Sequence, residues 1–147
     1  MLWTPPLNRR GDSDTTRISD LAYGQVMKFS CTPSQFADEA EAIAMATARG
    51  EHPLALDVDA VENDFHWHDF QNTTYIVEGE LTIEIRDTGE RFVCGPGTMI
   101  SAETPAIVHR EISDGYRAVF GFDRDPRELT MPIDKDPAVR PAELGGG

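Results

Sequence analysis

The chain has 147 residues, enough for one domain with a buried core, and its 26 acidic and 13 basic residues give a formal net charge of −13. This acidity argues against nucleic acid and anionic membranes as partners, because phosphate groups are bound by basic surfaces. No apolar run approaches the ~18 residues of a membrane span, the stretch MLWTPPLNRRGDSD lacks the apolar segment of a secretory signal, and two cysteines are too few for a disulfide framework. The sequence therefore predicts a cytoplasmic protein with reduced thiols.

The first third of the chain is predicted to hold a polar arm, a strand and one helix. Residues 1–20 are polar and fit an N-terminal arm, and the apolar residues within 21–31 fit a first strand. A helix is expected over 33–49, since a Thr or a Ser at its start can cap it and acidic residues crowd its first half. Ala-rich sequence then runs to a stop at Gly50. Its apolar stripe is narrow, so we expect the helix to pack on the outside of a sheet.

From residue 51 onward, apolar and polar residues alternate with a period of two, which is typical of strands. The predicted strands are 53–60, 64–70, 73–78, 80–86, 91–94, 97–101, 106–112 and 116–122. Turn sequences such as EGE, DTGE, CGPG and SDG separate them. So many short strands predict an all-β sandwich or barrel, in one domain over 21–125 that includes the helix. The Pro-rich tail, 126–147, has no strand pattern and is either a strap over the barrel or disordered.

The stretch DFHWHDF contains two of the four histidines. On a regular strand successive side chains point to opposite faces, so Asp64, His66, His68 and Phe70 would share one face. Two imidazoles at this spacing can reach one ion, and neutral imidazole suits iron, nickel, copper and zinc. The alternative is a pair of surface or hydrogen-bonded histidines, and we expect a surface position for His52, beside the helix stop.

The residues after this pair resemble the first sequence motif of the cupin superfamily. That motif has a His-x-His, three or four further residues, a Glu, six residues and a Gly, at a strand-turn-strand step. Here His66 and His68 form the pair, Asn72 stands at the glutamate position, and Gly79 falls in register. The sequence YIVEGELTIEI is a familiar cupin continuation.

A second cupin motif has a distorted counterpart downstream. The family pattern is a Gly, five residues and then Pro-x-Gly-x-x-His. The sequence GPGTMISAETPAIVHREI has its first motif residue at Gly97, its Pro105 is displaced, and His109 arrives one residue later than the pattern requires. The two motifs occur in the family's order, and the resemblance covers residues 53–122.

The resemblance implies a jelly-roll barrel, that is, a double-stranded β-helix, which is often a homodimer. It implies one divalent transition metal per chain, with Fe(II) favoured and Mn, Ni, Cu or Zn as alternatives, held by His66, His68 and His109. Asn72 departs from the family pattern, because an amide is neutral and a weaker ligand than a carboxylate. Some cupin dioxygenases use three histidines without the glutamate, so the departure is compatible with a metal site.

Two carboxylates could replace the missing glutamate or support the histidines from behind. Glu111 would share the face of His109 on a regular strand, and Asp64 stands two residues before His66. Each also has an ordinary alternative role: Asp64 at the entrance of a strand, and Glu111 in an ion pair with an exposed arginine.

A substrate pocket is expected beside the metal site. Phe70, Thr74 and Ile76 would line it if their strands turn these residues inward, although the aromatic and aliphatic residues could equally fill the core. An inward Arg117 would favour an anionic substrate, because it would add a positive charge beside the metal.

These expectations favour a metal-dependent cupin enzyme that acts on a small anionic or enolic substrate, with iron-dependent dioxygenation as the first hypothesis. The alternatives are a metal-dependent lyase or isomerase and a non-catalytic barrel that binds a small molecule. Other enzyme classes lack their signatures, since the sequence has no GxSxG elbow, no P-loop and no Rossmann glycine pattern. A Cys94 nucleophile has no histidine near it in the sequence, and the closely spaced cysteines of a structural zinc site are missing.

Overall fold

The computed structural model describes residues 29–139, which form an antiparallel β-sheet curled into a nearly closed barrel with one α-helix on its outside. The elements are β1 (Phe29–Thr32), α1 (Glu39–Ala48), β2 (His52–Glu62), β3 (Asn72–Gly79), β4 (Leu81–Ile85), β5 (Arg91–Cys94), β6 (Met99–Ala102), β7 (His109–Phe122) and a 3-10 helix (Pro126–Glu128). The predicted arm, 1–20, lies outside the described residues, as do residues 21–28 and 140–147. The prediction of an all-β barrel with one outer helix is confirmed.

Strand β7 organises the sheet, because it is the longest strand and pairs with three others. The strand order is β1-β6-β3-β7-β4-β5, and β2 pairs with β7 off this path. Along its other edge β7 pairs first with β4 and then with β3. The two strands predicted at 106–112 and 116–122 are therefore one strand. The sequence SDG does not turn the chain, since Ser113 and Gly115 both keep their pairing with β2.

The turn between β3 and β4 requires glycine at position 79. Gly79 has a φ of +82°, in the left-handed region that L-residues with a side chain rarely adopt. A Cβ at this position would also lie 2.6 Å from the backbone oxygen of Gly115. Glycine is therefore needed at position 79, where the backbone passes close to the backbone of Gly115.

The predicted strand at 64–70 is wrong. Residues 64–70 form an irregular segment with two isolated bridges, one between His66 and His109 and one between Trp67 and Lys135. Because the neighbouring residues His66 and Trp67 pair with different parts of the chain, the segment does not form a regular strand.

Helix α1 begins later than predicted, at Glu39 rather than residue 33. Ser34 has a φ of +60°, which cannot continue a helix, and the structure uses Asp38 as the N-cap. The Asp38 carboxylate accepts a hydrogen bond from the Glu41 backbone N–H at 2.9 Å, and the Glu41 carboxylate accepts one from the Ala37 N–H at 2.7 Å. These reciprocal bonds resemble a capping box and fix where the helix starts.

The core has two parts. Eight buried residues fill the inside of the barrel: Ile76, Leu81, Ile83, Ile85, Cys94, Ile100, Ile107 and Ala118. Between the barrel and the helix, Ala42 and Ala46 pack against Tyr75 and Val119. The two alanines let α1 lie close to the sheet, and burying each large apolar side chain contributes about 1.5–3 kcal/mol. No helix among the described residues is long and apolar enough to cross a membrane.

Candidate metal site and its cavity

Four side chains converge at one end of the barrel. His66, His68, His109 and Glu111 each offer one ligand atom, and these atoms lie within 4.8 Å of one another. His109 and Glu111 alternate on β7 and so share a face, as the sequence predicts. His66 is joined to His109 by two backbone hydrogen bonds of 2.8 and 2.9 Å. The irregular segment therefore brings its histidines to the start of β7.

All three histidines are oriented by the same kind of hydrogen bond, from the ring Nδ1 to a backbone carbonyl. The pairs are His66 with Asp64 at 2.7 Å, His68 with Ile133 at 3.0 Å and His109 with Ile107 at 2.8 Å. A carbonyl can only accept, so each neutral imidazole must carry its proton on Nδ1. The lone pair of each Nε2 is then free for a ligand, which is the arrangement usual for metal-binding histidines.

His66 provides the clearest sign that a partner belongs here. Its Nε2 is the buried side-chain atom that has no hydrogen-bond partner in the described part of the chain. The nearest carboxylate oxygens are those of Glu111, at 3.3 Å, and Asp134, at 3.6 Å. Leaving this nitrogen unprotonated and without a partner costs about 1–3 kcal/mol, so it should bind either a proton, which would face Glu111, or a cation. A cation bound among the four side chains would remove this cost, and the set of three imidazoles and one carboxylate suits a first-row transition metal.

Glu111 is held in place by Asn63. The Asn63 amide donates to the carboxylate at 2.6 Å, and its oxygen accepts from the Glu111 backbone N–H at 2.8 Å. The Asn63 backbone N–H also donates to the Glu111 carbonyl, at 3.3 Å. Asn63 was not predicted from the sequence, because it lies 48 positions from its partner and belongs to no motif.

Burial and charge act in opposite directions on the ionisable groups of the cluster. Burial lowers the pKa of His66, but the Glu111 carboxylate, the Asp64 carbonyl and the Asp134 carboxylate together raise it to about 9. Burial raises the pKa of Glu111, but the histidines at 109 and 66 more than offset this and hold it well below its usual range. Burial and the two neighbouring histidines lower the pKa of His68. Without a metal, these shifts favour a proton on His66 that faces an ionised Glu111, and a bound cation would take the place of that proton.

The candidates for a fourth ligand lie in three different places. Glu111 joins the histidines, with one carboxylate oxygen 3.0 Å from His109 Nε2. Asp64 supports His66 through its backbone carbonyl. Asn72 lies on the wall of the adjoining cavity, where its amide donates to Thr74 Oγ1 at 3.1 Å.

The cluster borders a cavity of about 300 Å³ inside the barrel. His68, His109 and Glu111 form part of its wall, which is otherwise mostly apolar. Five aromatic residues line it: Phe29, Phe70, Tyr116, Phe120 and Phe122. Among the described residues that line it, Glu111 is the one with an acidic side chain, and none is Lys or Arg.

Two residues predicted for the pocket lie elsewhere. Ile76 is fully buried in the barrel core and does not line the cavity. Arg117 lies on the outer face of β7, where it forms ion pairs with Glu39 at 2.7 Å and Asp57 at 3.1 Å. Alternation explains this, because Tyr116 lines the cavity and its neighbour must point the other way. Phe70 and Thr74 do line the cavity, and His52 is exposed at the start of β2.

The part of the C-terminal tail that the structure describes passes over the mouth of the site. Trp67 exchanges backbone hydrogen bonds with Lys135 at 3.2 and 2.8 Å, and its indole N–H lies 3.0 Å from the carbonyls of both Asp136 and Val139. The strap thereby places Ile133 on the cavity wall and Asp134 near the histidines. The sequence left this strap and a disordered tail as alternatives and gave no partner for it.

Comparisons with known proteins give two distant likenesses of shape. No family model matches the chain, and no curated protein matches its sequence. A crystal structure of a DUF861 family protein from Thermotoga maritima is 15% identical, with a TM-score of 0.46 over 66% of this chain and 99% of that one. The polyketide cyclase RemF from Streptomyces resistomycificus is 18% identical, with a TM-score of 0.39 over 62% of this chain and 69% of that one. At such scores neither likeness says anything about activity.

Proposed function

We propose that this chain is a mononuclear metal-dependent enzyme of the cupin type, with His66, His68, His109 and Glu111 as the metal ligands. The observation that carries the proposal is the unpartnered, buried Nε2 of His66, facing a carboxylate within a cluster whose three Nδ1 atoms are all bonded to carbonyls. The two sequence motifs and the antiparallel barrel support the family. The ion is one divalent transition metal per chain, and Fe(II) is the first candidate.

The cavity favours a small, largely apolar substrate with an aromatic or enolic part. Five aromatic rings can pack against such a molecule, and an enol or phenol oxygen would face the imidazoles and Glu111 at one end. The sequence predicted an anionic or enolic substrate, and the anionic alternative depended on an inward Arg117 and on a site without a carboxylate. Arg117 lies outside the cavity and Glu111 supplies a carboxylate, so the substrate is better described as neutral or enolic.

Iron-dependent dioxygenation of such a substrate is the reaction we propose. Bound in the cluster, Fe(II) would supply oxidation chemistry with dioxygen, whereas Zn, which has no redox chemistry, would supply Lewis-acid chemistry. The chain's own residues would orient the substrate ring and exclude water, since the wall is apolar. Glu111, held by Asn63, would accept a hydrogen bond from the substrate hydroxyl or partly neutralise the ion.

A metal-dependent lyase or isomerase is the second candidate, and Asp134 is the observation in its favour. This carboxylate lies 3.6 Å from His66 Nε2 at the mouth of the site, and about half of its side chain is exposed. An ionised carboxylate there could take a proton from a substrate carbon, which is the step on which such reactions depend.

Metal analysis followed by a screen for oxygen uptake tests the proposal. Protein purified without chelator should contain about one transition-metal ion per chain, and the Fe(II)-loaded protein should consume oxygen with some member of a panel of phenols and enols. Conversion of a panel compound by Zn-loaded protein without oxygen uptake would favour the lyase or isomerase. If the protein binds no metal through these histidines, the remaining hypothesis is a non-catalytic barrel that binds a small molecule.

A further inference from the structure

We propose that Cys31 and Cys94 form a reversible disulfide that closes the seam of the barrel. Both cysteines are free, they lie 63 positions apart in the sequence, and their sulfur atoms are 3.0 Å apart. A disulfide bond of about 2.05 Å needs the two sulfurs to move together by only about 1 Å. The pair is independent of the metal site, so this inference does not rest on the proposed function.

The two cysteines lie on the strands that end the main path of the sheet. This path runs from β1 to β5, and within residues 29–139 β1 pairs only with β6 and β5 only with β4. Cys31 is on β1 and Cys94 on β5, so side chains span the gap that the backbone ladder leaves. Phe29 and Phe92, each two residues before one of the cysteines, also contact each other across this gap, with ring centroids 5.4 Å apart. The seam is therefore bridged by a thiol pair and an aromatic pair.

A low-molecular-weight disulfide, such as oxidised glutathione, is the oxidant that the site requires. Cys31 is partly exposed and Cys94 is buried, so the oxidant reaches Cys31 first. The hydrogen bond with Cys94 raises the pKa of Cys31, so Cys31 must first give its proton to a solvent base. Its sulfur then attacks the small disulfide, forms a mixed disulfide and releases one small thiol. The Cys94 thiolate then attacks the Cys31 sulfur and releases the second. Both protein thiols lose a proton and one electron, and the small disulfide is reduced to two thiols.

The bond would act on the cavity wall as well as on the barrel's stability. Phe29, two residues before Cys31 on the same face of β1, lines the cavity and lies 6.4 Å from the His109 ring, measured between centroids. In the reduced protein, the contacts between β1 and β5 that the described residues make are the thiol pair and the aromatic pair, both between side chains. Oxidation would tie β1 to β5 covalently and so fix the position of Phe29.

Titration of the folded, full-length protein in anaerobic glutathione buffers tests this inference. After alkylation of the remaining thiols, the oxidised protein should have lost two hydrogens and no alkylatable thiol should remain. A non-reducing peptide map should show one cross-link, between the peptides that contain Cys31 and Cys94. The melting temperature should rise by roughly 10 °C on oxidation and return when dithiothreitol is added.

Cys31→Ser is the matched control, because it removes the partly exposed thiol and leaves the buried one. It should melt near the reduced wild type and show no rise in oxidising buffer. The inference is overturned if both thiols of the wild type stay alkylatable in fully oxidised glutathione. It is equally overturned if the disulfide forms only in urea, or if it links two chains instead of one.

Discussion

Asn63 and Glu111 are joined by three hydrogen bonds, one between their side chains, one from the Glu111 backbone N–H and one from the Asn63 backbone N–H. Asn63 follows the last residue of β2, and Glu111 belongs to the β7 strand that pairs with it. The end of one strand thus positions the acidic side chain of the candidate metal site. This link gives Asn63 a role that can be tested separately from the ligands.

Asn63→Ala should weaken metal binding by about 10–100-fold, because a ligand carboxylate that loses its supporting hydrogen bonds is no longer held in place. The measurement is a competition titration against a chromophoric chelator. Asn72→Ala is the matched control, since it removes an asparagine from the cavity wall that bonds to Thr74 instead of Glu111. Equal affinity in Asn63→Ala and wild type would mean that Asn63 does not position Glu111 for the ion.

Removing His66 and His68 should abolish stoichiometric metal binding while the barrel stays folded. The expected reading is metal content near zero in His66→Ala/His68→Ala by elemental analysis, with the far-ultraviolet circular dichroism of the wild type. Both residues lie in an irregular segment, and the bridge between His66 and His109 is made by backbone atoms that alanine keeps. His52→Ala is the control at an exposed position. One ion per chain in the double variant would refute the assignment.

The position of the family glutamate can be tested by rescue. Glu111→Gln should weaken metal binding, since a neutral amide replaces the carboxylate near the ion. Asn72 stands where the cupin motif has its glutamate, so Asn72→Glu in the Glu111→Gln background should restore part of the affinity. In the wild-type background Asn72→Glu should tighten metal binding further and weaken the binding of an anionic inhibitor, because one added charge causes both effects.

Absence of rescue, together with unchanged inhibitor binding in the single Asn72→Glu variant, would show that position 72 shapes the cavity and does not face the ion. The hydrogen bond from Asn72 to Thr74 is the alternative role that would then remain.

The barrel could be predicted from the sequence because its signals are local. Alternation of apolar and polar residues with a period of two indicates strands. Gly79 indicates a turn, because glycine readily adopts the positive φ that this turn needs. The continuous β7 was missed because SDG is a common turn sequence, and only pairing with β2 shows that the strand passes through it. The segment at 64–70 was misassigned because alternation alone cannot reveal that its two bridges lead to different partners.

The site could be predicted only in part, because its motifs are local in the sequence whereas its supporting contacts are long-range. Three histidines could be selected because they stand in motifs, and the structure brings them together; that they hold an ion stays a prediction. Asn63 and Ile133 could not be predicted, because each contacts a residue far away in the sequence. The Asn63 amide binds Glu111, and the Ile133 backbone carbonyl binds His68. Arg117 was misplaced because the face of a strand depends on which neighbour points inward, and here that neighbour is Tyr116.

The strap over the site should loosen when the indole of Trp67 loses its hydrogen bonds. Trp67→Phe keeps an aromatic ring but removes the N–H that lies 3.0 Å from two carbonyls of the strap, so we expect a loss of about 1–2 kcal/mol in stability. Faster trypsin cleavage at Lys135 should accompany it. Cleavage at Arg86, in an exposed turn, is an internal control in the same digest. Unchanged cleavage at Lys135 would mean that the strap is held by other contacts.

Metal binding should release a proton and strengthen with pH up to about 9. Burial lowers the pKa of His66, but the Glu111 carboxylate, the Asp64 carbonyl and the Asp134 carboxylate together raise it to about 9 in the metal-free site. At pH 7 His66 is therefore protonated, and an ion must displace that proton. Affinity should rise by about tenfold per pH unit from pH 7 and level off near pH 9, with about one proton released per ion at pH 7. Calorimetry in buffers of different ionisation enthalpy measures both quantities.

The variant Glu111→Gln separates this proton competition from general effects of pH. It removes the carboxylate that raises the pKa of His66, while burial, which lowers that pKa, remains. The plateau in affinity should therefore begin at a lower pH in the variant, although its affinity at the plateau is weaker because a ligand is gone. A wild-type affinity that is already constant between pH 7 and 9, with no proton released, would contradict the protonated His66 and with it the charge pair that the metal-free site contains.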